Sequence, residues 1–514
     1  MARHGMTGRC RIWFLVALLA LGSAQPAHVE AQSPLRGLDA EIESVMEAWK
    51  IPGAAVAIVH NDRVIHAKGY GVREVGQPDQ VDEATLFAIG SASKAFTAAA
   101  VAMLVDEGLV GWNDLVIDHM PDFRLNDPQA TREMRVRDLL AHNSGLLRGD
   151  RIWYAQDRSR DQVLHQVRYL EPTWSLRANF GYQNIMYIAA GELVEAVSGR
   201  SWDAFVAERI FEPLGMSQSN TSVKDLAGNH NLASPHIPDE DTPRPVPYRN
   251  IDNAGPAGSI NSNVVEMSEW VRLHLANGIY GGERLLSEAS IREMHRPQML
   301  LDYNDPVFSA LFHPADFMTY GLGWFVSDYR DFKLVGHGGN IDGMTAWVAF
   351  APERNYGLVI LTNLNAANGF SIALSHSISD RLVGAEPTDW SALFLESLEE
   401  LMAMGEAQQQ AILDARVEGT QPSVDLAAYA GTYQHPMYGD FVVEHTPEGL
   451  TARFGPAFLG PVEHWHYDTF RADWEDAAAQ PEFLRFTLDL MGQPAVLLAE
   501  IEGTAEFRRK QEGS

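Results

Sequence analysis

The chain of 514 residues has a single cysteine, Cys10, and only six lysines. One cysteine excludes a disulfide framework and any cysteine-rich zinc or iron–sulfur site. Basic residues are scarce overall: 39 Lys+Arg stand against 68 Asp+Glu, a formal net charge of −29. Such a chain repels phosphate backbones and forfeits the counterion release that drives non-specific nucleic-acid binding, so no nucleic acid is expected as a partner. Past the N-terminus, no segment reaches the ~18 consecutive apolar residues of a membrane helix. Apolar residues are nonetheless plentiful at 46% of the chain, enough for one large domain and one or two smaller ones.

The N-terminus reads as a secretory signal. Arg3, Arg9 and Arg11 precede the short apolar run Ile12 to Leu21, and small residues follow, with Ala31 or Ala24 as the alternative cleavage positions. Residues 1–31 are therefore expected to be a signal peptide that carries Cys10 away, giving a secreted or periplasmic product with no stable membrane span.

Periodicity organises the rest. Helical spacing runs from Gly37 to Trp49, and Ala54 to Val59 and Val64 to Ala67 form two strands around the turn 60–63. Ser91 to Val105 is an Ala-rich helix without Gly or Pro, with Ser91 at its N-terminus. After a helical middle that includes Ile185 to Val197, strands return at Phe332 to Val335, Thr345 to Phe350 and Gly357 to Leu361, followed by a helix from Ser371 to Val383. Helices between two strand groups predict an α/β (α+β) unit over residues 32–385, its sheet drawn from both ends. Residues 386–425 read as a linker helix or pair, and 426–512, with short strands broken at glycines, as a small all-β barrel or sandwich.

Among the lysines, only Lys94 lies three residues after a serine, in Ser91-Ala92-Ser93-Lys94. On a helix, positions i and i+3 share a face, so the amine can reach the hydroxyl and take its proton if burial keeps the amine neutral. A helix-capping serine followed by a surface lysine spells the same tetrapeptide. Two further segments carry polar groups suited to the same chemistry. Tyr182 and Asn184 precede a helix, where a phenol can shuttle a proton and an amide can orient a substrate while bonding the lysine. His337-Gly338-Gly339-Asn340 ends a strand, where glycines let a substrate backbone approach and N–H groups can bind an oxyanion. Tyr248-Arg249-Asn250 repeats the Tyr-x-Asn spacing but sits in a Pro-rich loop with no helix after it.

These elements, in this order, resemble the serine β-lactamase and penicillin-binding-protein superfamily in its class C-related branch. The likeness extends to Ile89-Gly90 before the serine, to Leu139 through Leu146, and to Gly255-Pro256-Ala257-Gly258-Ser259, about 350 residues in all. The resemblance implies Ser91 as nucleophile, Lys94 as its base partner, and Tyr182 as base or proton shuttle. It implies Asn184, His337, Gly338, Gly339 and Asn340 as substrate-binding positions, with the N–H groups of Ser91 and Asn340 as the oxyanion hole. Whether Lys94 or Tyr182 takes the first proton stays open.

Where β-lactamases place a lysine and a hydroxyl residue to hold a carboxylate, this chain has His337 and two glycines. No counterpart of the class A deacylating glutamate is evident, which leaves water activation to Tyr182 and Lys94.

The expectation is therefore an exported serine hydrolase that cleaves an ester or amide of a small molecule or short peptide, without metal or organic cofactor. The alternatives are a D-amino-acid-specific peptidase, a D,D-carboxypeptidase, a class C-like β-lactamase or a non-catalytic penicillin-binding sensor; a homo-oligomer is left open. The C-terminal segment, with Tyr429-Ala430-Gly431-Thr432-Tyr433 and Glu463 to Phe470, resembles a lipocalin-like β domain that follows such units. His464 and His466 alternate on one of its strands without a third ligand, so packing or hydrogen bonding is expected of them rather than a metal. His142 is expected to brace a loop.

Overall fold

The computed structural model describes residues 34–239, 242–302 and 315–511, and the expected signal segment lies outside them. The strand Gly53–His60 runs through Asn61 and Asp62, both with positive φ, into Arg63–Gly71. Two left-handed residues give the turn whose twist suits a two-residue hairpin, and Asn and Asp tolerate that conformation. On one edge Ala54 pairs with Tyr70 of that hairpin, and on the other with Thr362, some three hundred positions away in the chain. The sheet is thus assembled from both ends of the unit, as the strand pattern predicts. Its eight antiparallel strands run in the order Arg63–Gly71, Gly53–His60, Tyr356–Thr362, Met344–Ala351, Phe332–Ile341, Phe325–Tyr329, Met318–Tyr320 and Met299–Leu300.

Alternation along each strand divides the core into two layers. Ala55, Ala57 and Val59 join Val348, Val359 and Leu361 on one face, with residues of the helices Ser93–Asp106, Asn184–Ser198 and Val264–Leu275. Ala54, Val56 and Ile58 join Leu358 and Ile360 on the other, against Leu38–Ala48 and Asn368–Val383. Because both faces are buried, the central strands are uninterrupted apolar runs rather than alternating ones.

The Ala-rich helix begins two residues later than its composition predicts. Gly90 has φ +50°, outside the helical region, so Gly90–Ala92 forms a 3₁₀ turn and the helix proper is Ser93–Asp106. Ser91 sits in that turn. Ser93 fixes it: its hydroxyl donates to the Gly90 carbonyl at 2.7 Å and accepts the Ile260 N–H at 3.1 Å. Every residue of the helix from Ser93 to Leu104 is buried, since small alanine side chains let neighbours pack closely on all sides.

The linker holds one 25-residue helix, Trp390–Asp414, of which only Trp390 and Phe394 are buried. Beyond it, eight strands in sequence order, from Gly431–His435 to Thr504–Arg509, close into an antiparallel barrel whose first and last strands pair at Tyr433 and Arg509. The interior is filled with aromatic side chains, among them Phe441, Phe454, Phe470, Phe486 and Phe507. In such a meander alternate turns share one end. Turns at that end meet the catalytic unit: Arg158 donates to the carbonyls of Met437 and Tyr438, Arg151 lies 4.1 Å over the Phe458 ring, and Arg249 donates to Asp476 at 2.6 Å. His464 and His466 are separated by a β-bulge and serve different backbone partners, the Tyr467 carbonyl and the Val417 N–H. No group of three or more potential metal ligands occurs among the described residues, and no helix there is long and apolar enough to cross a membrane.

Candidate active site

Lys94 is fully buried, and its Nζ lies 2.9 Å from Ser91 Oγ and 2.8 Å from the Ala257 carbonyl oxygen. Burial holds its pKa well below that of a free lysine; Asp150 pulls the other way and Arg148 adds to the depression. A carbonyl can only accept, so the amine donates to Ala257. A neutral amine keeps a lone pair that the Ser91 proton can use. The Gly255–Gly258 helix that presents Ala257 belongs to the Gly-Pro-Ala-Gly-Ser segment noted in the sequence.

Tyr182 completes a triangle. Its hydroxyl hydrogen-bonds Ser91, and its ring lies 4.9 Å from Lys94 Nζ. Burial pushes the phenol above its ordinary pKa, so it is held protonated. His142 fixes this segment: its Nδ1 accepts the Gln183 N–H at 3.0 Å, and its ring stands 4.2 Å from the Tyr182 ring. Tyr248, the second Tyr-x-Asn candidate, instead donates to the Ala233 carbonyl at 2.7 Å.

Asn184 reaches the site but not the lysine in the way the sequence suggests. Its Nδ2 donates to Asp150 Oδ1 at 3.0 Å, and Asp150 also accepts from Trp153 Nε1 at 2.8 Å and Arg148 at 3.1 Å. Gly339 lies directly against the turn at Ser91, where no side chain would fit, and Gly338 faces the Trp347 ring.

His337 lines the cavity with both ring nitrogens occupied. Nδ1 lies 2.5 Å from the Gly338 carbonyl and so carries the hydrogen, while Nε2 accepts from Tyr320 at 2.9 Å. Burial lowers its pKa to about 3, and Lys94 adds to the effect, so the ring is neutral.

Ser91, Tyr182, Asn184, His337, Gly338 and Asn340 open onto one cavity of about 600 Å³. Sequence reasoning missed further residues of the wall: Arg148, Asp150, Arg151, Asp342 and, from the barrel, Glu502 line the same space. A loop acid directly after Gly149 carries no spacing signal, and Glu502 lies in a different domain.

A buried lysine of depressed pKa against a serine, on the helix side of an antiparallel sheet, defines a serine hydrolase of the β-lactamase and transpeptidase type. The chain belongs to the β-lactamase family, whose model matches residues 38–381. Residues 415–513 match a domain of unknown function (DUF3471). Unguisins hydrolase ungD of Aspergillus violaceofuscus is 28% identical over 438 residues, covering 79% of this chain and 76% of that protein. Protein flp of Staphylococcus aureus is 25% identical over 333 residues, 64% of this chain and 63% of its own length. The octameric penicillin-binding protein homologue from Pyrococcus abyssi shares the fold with a TM-score of 0.61 at 20% identity, over 92% of this chain and 100% of that one. SurE does so at 0.57 and 19%, over 93% and 99%.

Proposed function

We propose that this chain is an exported hydrolase of the class C-like type that cleaves an ester or amide bond through an acyl-enzyme on Ser91. The observation that carries the reading is the 2.9 Å contact between Ser91 Oγ and a lysine amine whose pKa burial holds well below the ordinary lysine value. Lys94 takes the hydroxyl proton as Ser91 Oγ bonds to the substrate carbonyl carbon. The backbone N–H groups of Ser91 and Asn340 receive the oxyanion. Tyr182, a protonated phenol, gives its hydrogen to the leaving group and is restored by Lys94. Water then attacks the acyl-enzyme, passing its proton along the same pair and releasing acid and free serine.

Asn184 orients the substrate. The Gly338–Asn340 strand offers its backbone to the substrate, and neutral His337 shapes the wall without holding a charge. The loss of a cation at that strand supports an ester or amide substrate over a β-lactam. Arg148 and Arg151 in the cavity wall favour a second reading, a D-amino-acid or carboxypeptidase-like peptidase whose substrate carboxylate they would meet. The octameric assembly of the Pyrococcus neighbour supports a homo-oligomer.

The test is turnover of p-nitrophenyl esters, nitrocefin and D-alanyl amides by the mature protein beside Ser91→Ala, with mass spectrometry of the acylated peptide. Loss of turnover in the variant and a covalent adduct on Ser91 are expected. Full activity in Ser91→Ala would sink the assignment, and turnover of nitrocefin alone would reverse the ranking of substrates. An adduct on Ser91 without turnover would make the protein an acylated sensor.

A further inference from the structure

The turn between the last two barrel strands, Pro494–Glu500 and Thr504–Arg509, carries Glu502 into the wall of the Ser91 cavity. Glu502 has φ +50°, a left-handed conformation that glycine or asparagine adopts more readily than a residue with a longer side chain. A glutamate persisting there needs a reason beyond the turn itself. The reason lies across the domain boundary, where its carboxylate faces the backbone N–H groups of Asp150 and Arg151.

Those two N–H groups open the 3₁₀ turn Asp150–Ile152, and the first groups of such a turn have no partner within it. The residue at the capping position is Gly149, which has no side chain to supply one. Glu502 supplies it from a different domain. Asp150, at the head of this turn, in turn accepts the Asn184 amide at 3.0 Å, and Asn184 opens onto the cavity beside Ser91.

We propose that Glu502 is a positioning residue of the active site: by capping the turn at Asp150 it sets the Asn184 amide against Ser91, and it thereby makes turnover depend on the seated barrel. This inference rests on the acyl-enzyme chemistry proposed above.

Glu502 is an exposed residue whose carboxylate end is enclosed by the loop, and that local enclosure with the adjacent Asp150 pushes it up to about 7, against the two N–H groups and Arg148. The charged and titratable groups around it are Asp150, Arg148 and Arg151 on the loop and Tyr438 on the neighbouring barrel turn, with Glu482 on the far side of Arg151. Only the ionised carboxylate accepts strongly from both N–H groups. Positioning is therefore complete above that pH and lost as pH falls through it.

The experiment measures kcat and KM of the full chain on an activated p-nitrophenyl ester from pH 5 to 9, for wild type, Glu502→Gln, Glu502→Ala and Ser91→Ala, with a melting curve for each. Glu502→Ala should lower kcat roughly tenfold with a smaller change in KM. Glu502→Gln should keep more of the rate, because its amide oxygen still accepts, but should lose the step in the profile near pH 7. Wild-type kcat and an intact step in Glu502→Gln, with Ser91→Ala inactive, overturn the inference and leave the hydrolase reading standing. If Glu502→Ala fails to fold, the near-isosteric Glu502→Gln decides alone. Full activity in Ser91→Ala overturns the hydrolase reading and this inference with it.

Discussion

Gly339 abuts the Ile89 carbonyl so closely that an added methyl would come within 1.8 Å of that oxygen and 3.0 Å of the Ser91 nitrogen. Gly339→Ala should push the strand away from the Ser91 turn and lower kcat/KM by about a hundredfold, while costing about 1–3 kcal/mol of stability. Gly338→Ala provides the control. Its methyl would meet the Trp347 ring at 3.3 Å, so steady-state kinetics should show a clearly smaller loss.

The Lys94 amine must be neutral to act, so kcat/KM should rise with pH along a limb placed well below the ordinary lysine range. Lys94→Arg keeps a permanent charge and should lose at least about a thousandfold in kcat/KM. Two neighbours act on this limb with opposite sign. Asp150 raises the Lys94 pKa and Arg148 lowers it. Asp150→Asn should therefore move the acid limb to lower pH and Arg148→Gln to higher pH, which pH–rate profiles of the two variants can resolve.

Five buried histidines are held below their ordinary pKa by burial: His142, His236, His274, His295 and His337. His274 and His337 fall to about 3, against 6.5 for the free side chain. The unfolded chain thus binds more protons between these values. The stability contribution is full above pH 6.5 and is lost as pH falls toward 3. Urea melts at pH 7 and pH 4.5 should differ by on the order of 2 kcal/mol per imidazole.

Arg249 joins the two domains, donating to Asp342 at 2.7 Å and Asp476 at 2.6 Å, with all three side chains mostly shielded from water. Arg249→Met leaves two carboxylates facing each other without a cation and should cost about 3–5 kcal/mol. Arg249→Lys retains the charge but not the fork, and should fall between. Denaturant titration with intrinsic fluorescence would check the order.

Much of the catalytic unit was legible because its signals are local. Ser91 and Lys94 are three residues apart, Tyr182 and Asn184 two, and the glycines at 338 and 339 are adjacent, so a short window holds each motif. The sheet strands announce themselves as runs such as Ala54 to Val59. What escaped was set by packing between distant segments. The helix start moved from Ser91 to Ser93 because Gly90 is pressed against Asn340, a neighbour 250 positions away in the chain. The Asn184 amide turned to Asp150 because a loop with no motif carries that carboxylate to it. Glu502 reaches the cavity only once a barrel has closed, and nothing around it in the sequence hints at the serine.

The register of Ala54 with Thr362 also has a place in time. A ribosome adding ~5–20 residues per second takes roughly 15 to 60 seconds to make the stretch between them. For that interval the Gly53–His60 strand, apolar on both faces, has its hairpin partner on one edge and an open edge on the other. Such an edge is a ready site for pairing with another chain. The order of synthesis thus leaves this strand open to mispairing until its second partner is made.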